Sequence, residues 1–127
     1  MKDVIVIAED HKELNDIIRI RLEKSGFEVV SCLNGAVAYE KIIDIHPNLV
    51  ILDLDLPDIY GFELLGRIRN VPGFEDIKVL ILTGVAKQMN SDTTDEQWQQ
   101  ITGVHAFLSK PFNSEDLMDK IQELLKK

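Results

Sequence analysis

Residues 49–61, LVILDLDLPDIYG, decide the fold of this chain. The first four residues are apolar and form a run of strand length with no polar side, and the run stops abruptly at Asp53. Pro57 and Gly61 then interrupt the chain before a stretch of helical period begins. A strand without a polar face must be covered on both faces, which is typical of a parallel sheet with helices on either side.

The same alternation of a short apolar run with a helical stretch continues on both sides of residues 49–61. It predicts five strands, namely β1 at 4–8, β2 at 27–32, β3 at 49–52, β4 at 78–82 and β5 at 104–108. It also predicts five helices, namely α1 at 11–24, α2 at 36–45, α3 at 62–69, α4 at 92–102 and α5 at 113–125. We therefore predict an α/β fold with a doubly wound parallel sheet, in a three-layer α/β/α sandwich.

Local signals support two of these helices. The α1 stretch ends at Ser25-Gly26, a pair suited to a helix C-terminus, and its helical spacing predicts an inward face made of Leu14, Ile17, Ile18 and Leu22. Asn113 and Asp116 have the spacing of a capping box at the start of α5. The α4 stretch has few apolar positions, so its placement is less determined by the sequence.

The composition indicates one domain over residues 1–127. With 45% hydrophobic and 28% charged residues among 127, the chain is long enough to bury a core without disulfides. Cys32 is the one cysteine and is expected to be a buried, inert thiol. There is no apolar stretch of membrane-spanning length and no apolar leader, so we expect a cytoplasmic protein. A net charge of −8 disfavours direct nucleic-acid binding.

Polar residues follow the predicted strands at one edge of the sheet. Glu9 and Asp10 end β1, Asp53 ends β3, Thr83 ends β4 and Lys110 follows β5. Ligands of such sheets bind beyond the carboxyl ends of the strands. Three carboxylates gathered there must be neutralised, and an oxygen-rich, sulfur-free pocket suits Mg²⁺.

This ordered set resembles the receiver domains of bacterial response regulators, which are CheY-like. The resemblance covers essentially the whole chain and rests on Glu9-Asp10, Asp53 with Pro57 and Gly61, Thr83-Gly84, and Lys110-Pro111-Phe112. It implies a flavodoxin-like sheet with strand order 2-1-3-4-5. It also implies a two-component signalling module that receives a phosphoryl group from a histidine kinase or a histidine phosphotransfer protein.

The resemblance implies roles for the residues at the strand ends. Asp53 would attack a phosphohistidine and become an aspartyl phosphate. Asp10 and Asp53 would hold Mg²⁺ together with the backbone carbonyl of Asp55, and Glu9 would act directly or through water. Lys110 would pair with the phosphoryl oxygens, in keeping with the dependence of phosphoryl transfer on positioning and charge neutralisation.

The resemblance further implies a switch. Thr83 would turn toward the phosphoryl group, the peptide before Pro111 would be cis, and the α4-β5-α5 surface would change for a downstream protein target or output domain. Phe107 matches the aromatic switch position, although a core role for this ring is an equal alternative. The same surface allows a homodimer. Such a module turns over no diffusible substrate, and the chain is either a stand-alone receiver or a fragment of a longer regulator.

Some features depart from the family pattern or leave alternatives open. The stretch between Thr83 and Lys110 is longer than usual, with the excess in 87–94, and Trp98 within it could anchor a partner or pack onto the sheet. His11, His46 and His105 lie far apart, so a histidine metal site is not expected.

Two other functions compete with the signalling module. An Asp-Leu-Asp spacing at 53–55 is also that of a Mg²⁺-dependent aspartyl-phosphate phosphohydrolase, the main alternative. A flavodoxin-like binding module is disfavoured, because no phosphate-cradling loop follows β1.

Overall fold

The computed structural model describes residues 2–84 and 104–126 of the chain. Its strands are β1 Val4–Ala8, β2 Glu28–Cys32, β3 Leu49–Asp53, β4 Lys78–Thr83 and β5 Ala106–Ser109. Its helices are α1 Lys12–Lys24, α2 Gly35–Ile45, α3 Gly61–Arg69 and α5 Ser114–Leu125. The predicted α4, the suspected excess at 87–94 and Trp98 lie outside the described residues.

The five strands form one parallel sheet in the order β2-β1-β3-β4-β5, as predicted. The central strand β3 is buried at every position, which explains its continuous apolar sequence. Alternate β3 residues serve the two faces of the sheet. Val50 and Leu52 belong to a core shared with α2 and α3, whereas Leu49 and Ile51 belong to a second core shared with α1 and α5.

The observed helix ends agree with most of the local signals. Gly26 has a φ of 95° and follows α1, so the residue there must adopt a left-handed conformation that glycine tolerates. At the start of α5 the Oδ1 atom of Asn113 accepts a hydrogen bond from the backbone N of Asp116 at 2.7 Å. Strand and helix bounds differ from the predicted ones by one or two residues, as is usual where hydrogen bonding frays.

The predicted inward face of α1 was wrong at one position. Ile17 is 61% exposed, and Asn15 is buried in its place, beside Ile18 and Leu22 on the inner face. The side-chain Nδ2 of Asn15 donates to the backbone carbonyls of Glu9 at 2.9 Å and Cys32 at 3.1 Å. A polar residue that satisfies two strand-end carbonyls is stable in the core, whereas apolar periodicity alone selected the isoleucine.

Two expectations about the rest of the chain can be compared with the structure. Cys32 is buried, and its burial raises the pKa of the thiol, as expected for an inert cysteine. Within residues 2–84 and 104–126, no helix has both the length and the apolar character that crossing a membrane demands.

His105 lies directly before β5 and has a neutral side chain that contacts β4. Its Nδ1 accepts a hydrogen bond from the backbone N of Val79 at 3.2 Å, which an imidazole can do only when that nitrogen carries no proton. Burial, and then the positive charges of Lys78 and Arg69, lower the pKa of His105 from 6.5 to about 4. The folded state therefore resists protonation of this residue.

Stability should consequently fall as the pH drops from about 6.5 to about 4, because the unfolded chain binds a proton in this range and the folded chain does not. The full pKa shift of His105, converted to free energy, gives an upper bound on the loss of stability. Because His105 is only partly buried, we expect a loss of about 2 kcal/mol. Urea denaturation of wild type and His105→Asn between these pH values measures it, since an Asn oxygen can replace Nδ1 as acceptor without titrating. Equal pH slopes in the two proteins would contradict this account.

Candidate functional site

The register of the sheet brings the predicted polar residues to one edge. Ala8 pairs with Leu52, so the residues that follow them, Glu9 and Asp53, leave neighbouring strands side by side. Thr83 pairs with Ser109 at the same ends of β4 and β5, which places Lys110 next along the edge. The carboxyl ends of parallel strands therefore assemble the site from four separate stretches of chain.

Lys110 links the acidic residues of two strands. Its Nζ donates a hydrogen bond to Oδ2 of Asp53 at 2.9 Å and forms an ion pair with Oε1 of Glu9. The backbone N of Lys110 also donates to the carbonyl of Thr83 at 2.9 Å, which holds the lysine against the end of β4. The peptide between Lys110 and Pro111 is cis, as the resemblance implied.

Two of the carboxylates at this edge, Glu9 and Asp53, are deeply buried. Glu9 is 0% and Asp53 2% exposed. Burial raises the pKa of Glu9 above its ordinary value, although the backbone N–H of His11 and the ammonium of Lys110 oppose the rise. For Lys110, burial by itself lowers the pKa, but hydrogen bonds to Glu9 and Asp53 outweigh burial and raise it. The lysine is therefore firmly charged.

The positive charge of Lys110 does not neutralise all the carboxylates at the carboxyl ends of the strands. Ligand atoms of Glu9, Asp10, His11 and Asp53 all lie within 4.8 Å of one another. Oδ1 of Asp10 is buried and accepts no hydrogen bond from the described residues, and the close partner of the buried Oε1 of Glu9 among them is the Lys110 ammonium. Among the residues that the structure describes, three carboxylates face one ammonium, and this oxygen-rich set fits Mg²⁺, a cation that takes one or two protein carboxylates and keeps several waters.

His11 is the member of this cluster that the sequence did not predict. Its Nδ1 lies 3.1 Å from Oε2 of Glu9 and 3.6 Å from Oδ1 of Asp10, and its backbone N donates to Oε2 of Glu9 at 3.0 Å. The distance of His11 from the other histidines argued against a site built of histidines. The useful signal was its position directly after Glu9-Asp10, since a neighbouring side chain at a strand end reaches the same edge.

The β3–α3 loop, residues 54–60, carries the remaining predicted metal residue. Asp55 donates its backbone N–H to Oδ1 of Asp53 at 3.0 Å, whereas its carboxylate is exposed and is not among the clustered ligands. Gly61 donates its N–H to the carbonyl of Leu54 at 2.9 Å, and a Cβ at Gly61 would lie 2.8 Å from the Leu54 Cα. The close approach requires glycine there.

The two predicted switch residues lie beside the site. Thr83 is fully buried at the end of β4. Phe107 is half-buried and packs against the core, with its ring centroid 6.3 Å from that of Phe62 at an interplanar angle of 57°. The packed ring agrees with the core alternative for Phe107, and its proposed switching remains a prediction.

Comparison with known proteins identifies the family. The family model described as "Response regulator receiver domain" matches residues 5–122. The chain belongs to this family. It is therefore a receiver domain of the two-component response regulators, as the ordered motifs at the strand ends had implied.

Individual relatives differ in length. The receiver is 31% identical over 122 residues to the response regulator receiver protein CpdR of Brucella abortus, with 95% of each chain covered. It is 29% identical to the DNA-binding dual master transcriptional regulator RpaA of Synechocystis, covering 97% of this chain and 49% of that one. The chain thus spans about half the length of some of the curated relatives it matches.

Solved structures agree with the fold. A CheY-like receiver domain protein from Methanospirillum hungatei superposes with a TM-score of 0.85 at 30% identity, covering 98% of this chain and 94% of that one. The response regulator protein TrrA from Thermotoga maritima, in complex with Mg²⁺-BeF, superposes with a TM-score of 0.79 at 30% identity, covering 98% and 100%.

Proposed function

We propose that this receiver accepts a phosphoryl group on Asp53 in a Mg²⁺-dependent reaction, with a histidine kinase or a histidine phosphotransfer protein as donor. The observation that supports the proposal most strongly is the contact of the Lys110 ammonium with both buried carboxylates, 2.9 Å from Asp53, beside a cluster of cation ligands. A phosphoryl acceptor needs an available carboxylate and cations on either side of the incoming charge.

Each residue then has a distinct part. The Asp53 carboxylate attacks phosphorus, and the phosphohistidine imidazole departs with the electrons of the broken P–N bond and takes up a proton. Asp10, Asp53 and the backbone carbonyl of Asp55 would hold Mg²⁺, with Glu9 acting directly or through water. Mg²⁺ supplies neutralisation of the phosphoryl oxygens when bound. Lys110, now paired with Asp53, shifts its hydrogen bond to those oxygens.

The wider signalling roles follow from the same proposal. Thr83 hydrogen-bonds to the bound phosphoryl group, and the α4-β5-α5 surface changes for a downstream protein or output domain, with a homodimer as one use of that surface. We propose that residues 1–127 act as one receiver domain in the cytoplasm, that the chain does not bind nucleic acid directly, and that it turns over no diffusible substrate. The net charge of −8 supports protein rather than nucleic-acid partners.

Acetyl phosphate provides the test of the phosphoryl-acceptor role. Incubation with acetyl phosphate and Mg²⁺ should add one phosphoryl group to the wild type, measured by intact mass spectrometry. Asp53→Asn and wild type with excess EDTA should show no gain, because the first lacks the nucleophile and the second lacks the cation. A gain in Asp53→Asn equal to that of wild type would overturn the assignment, as would steady release of alcohol from a generic phosphomonoester, which favours the phosphohydrolase.

A further inference from the structure

The N-terminus of α2 is capped from two different parts of the chain. Asn34, the residue before the helix, accepts a hydrogen bond from the backbone N of Val37 at 2.9 Å. Asp58 accepts two more, from Gly35 N to Oδ1 at 2.8 Å and from Ala36 N to Oδ2 at 2.9 Å. Asn34 is local to the helix, whereas Asp58 belongs to the β3–α3 loop that follows Asp53.

The loop is closed at its base and tied to α2 at its tip. At the base, Gly61 bonds to the Leu54 carbonyl, and Asp55 forms an antiparallel bridge with Tyr60. At the tip, both oxygens of Asp58 reach across to α2. A cavity of about 550 Å³, lined in part by Gly35, Tyr39, Asp58 and Arg67, separates α2 from α3 beside this contact.

The approach of the loop to α2 is close. A Cβ on Gly35 would lie 2.1 Å from Cγ2 of Ile59, so the backbone of α2 begins directly against the loop. The two N–H groups point at a charged acceptor, and hydrogen bonds of this kind to a carboxylate at a helix N-terminus are stronger than neutral ones. The N–H groups of Gly35 and Ala36 accordingly hold the pKa of Asp58 below its ordinary value, so the tether is charged at neutral pH.

We propose that Asp58 is a positioning residue for the metal site, which it serves by tying the tip of the β3–α3 loop to α2 and so fixing the backbone carbonyl of Asp55. The inference rests on the proposed function, in which that carbonyl is a Mg²⁺ ligand. Asp58 follows Asp55 by three residues in the same short loop, whose base is closed by the bridge between Asp55 and Tyr60. In this proposal, a displacement of the loop tip moves the backbone of Asp55 through the peptide units between the two residues. The carboxylate of Asp58 bonds to α2 and is not among the clustered ligand atoms of the metal site.

Two cap variants of the same helix end separate positioning from plain helix stability. Asp58→Ala and Asn34→Ala each remove a cap of α2, so each should lower Tm by about 4 °C in thermal denaturation. Asp58→Ala should also weaken Mg²⁺ binding about tenfold, as loss of an outer-shell support does, whereas Asn34→Ala should bind Mg²⁺ as wild type does. Asp58→Asn keeps one of the two oxygen acceptors and should restore part of the affinity.

The Mg²⁺ dissociation constants of the four proteins, measured by chemical-shift titration in NMR, decide the matter. Equal affinities in Asp58→Ala and Asn34→Ala would overturn the positioning role, even if both variants are less stable than wild type. A wild type that binds no Mg²⁺ would instead overturn the proposed function, and this inference with it. The two failures are therefore distinguishable in one set of titrations.

Discussion

Replacing Lys110 with alanine should lower the free energy of unfolding by about 3 kcal/mol in metal-free buffer, because it leaves buried carboxylates without their cation. Glu9 and Asp53 are almost completely buried, and both contact the Lys110 ammonium. The lysine is 20% exposed, which places the expected loss at the low end of the range for broken buried pairs. Proton uptake by Glu9, whose pKa is already raised, relieves part of the repulsion.

Urea denaturation in EDTA measures this loss, with the exposed Lys41→Ala on α2 as the charge-matched control. Added Mg²⁺ should stabilise Lys110→Ala more than wild type, since a divalent cation binds the folded state and replaces the missing charge. A change below about 0.5 kcal/mol, the usual effect of a surface substitution, would contradict the buried pairing.

Replacing Asp10 with asparagine should weaken Mg²⁺ binding about a hundredfold, the largest effect on affinity that we expect from one substitution. The amide keeps the shape of the side chain but removes a negative charge and a strong oxygen ligand from the cluster around Asp53. Asp10 has an Oδ1 atom that is buried and accepts no hydrogen bond from the described residues, although His11 lies 3.6 Å away.

Chemical-shift titration with Mg²⁺ measures this loss, and Asp44→Asn, an exposed carboxylate of α2, is the matched control. Asp10→Asn should also lose phosphoryl gain from acetyl phosphate at Mg²⁺ concentrations that saturate the wild type. An Asp10→Asn protein that binds Mg²⁺ as tightly as Asp44→Asn would show that the cluster is not the metal site.

The architecture was predictable because the strands are short and almost wholly apolar. β3 is buried at every residue, so it carries no polar side that could be mistaken for a solvent face. The order of the polar strand ends then placed Glu9, Asp53, Thr83 and Lys110 at one edge, and the register confirms that edge. A parallel sheet turns the ends of its strands into neighbours, which is why sequence order sufficed.

The sequence did not reveal three roles, because each depends on a contact that exists only in the folded chain. Asn15 is buried where its side-chain amide donates to two strand-end carbonyls, and apolar periodicity does not reveal such a contact. The tether made by Asp58 has no local sequence signal, since its partners on α2 are more than twenty residues away. His11 joins the cluster through the carboxylates beside it, which a search for neighbouring histidines does not reveal.

The central claim is that Asp53 is the carboxylate that becomes phosphorylated. The direct measurement is borohydride reduction of the protein after treatment with acetyl phosphate and Mg²⁺, followed by peptide mass mapping, because reduction converts an aspartyl phosphate to homoserine. We expect homoserine at residue 53 and unchanged residues at 10 and 55. Homoserine at another aspartate, with residue 53 intact, would contradict it.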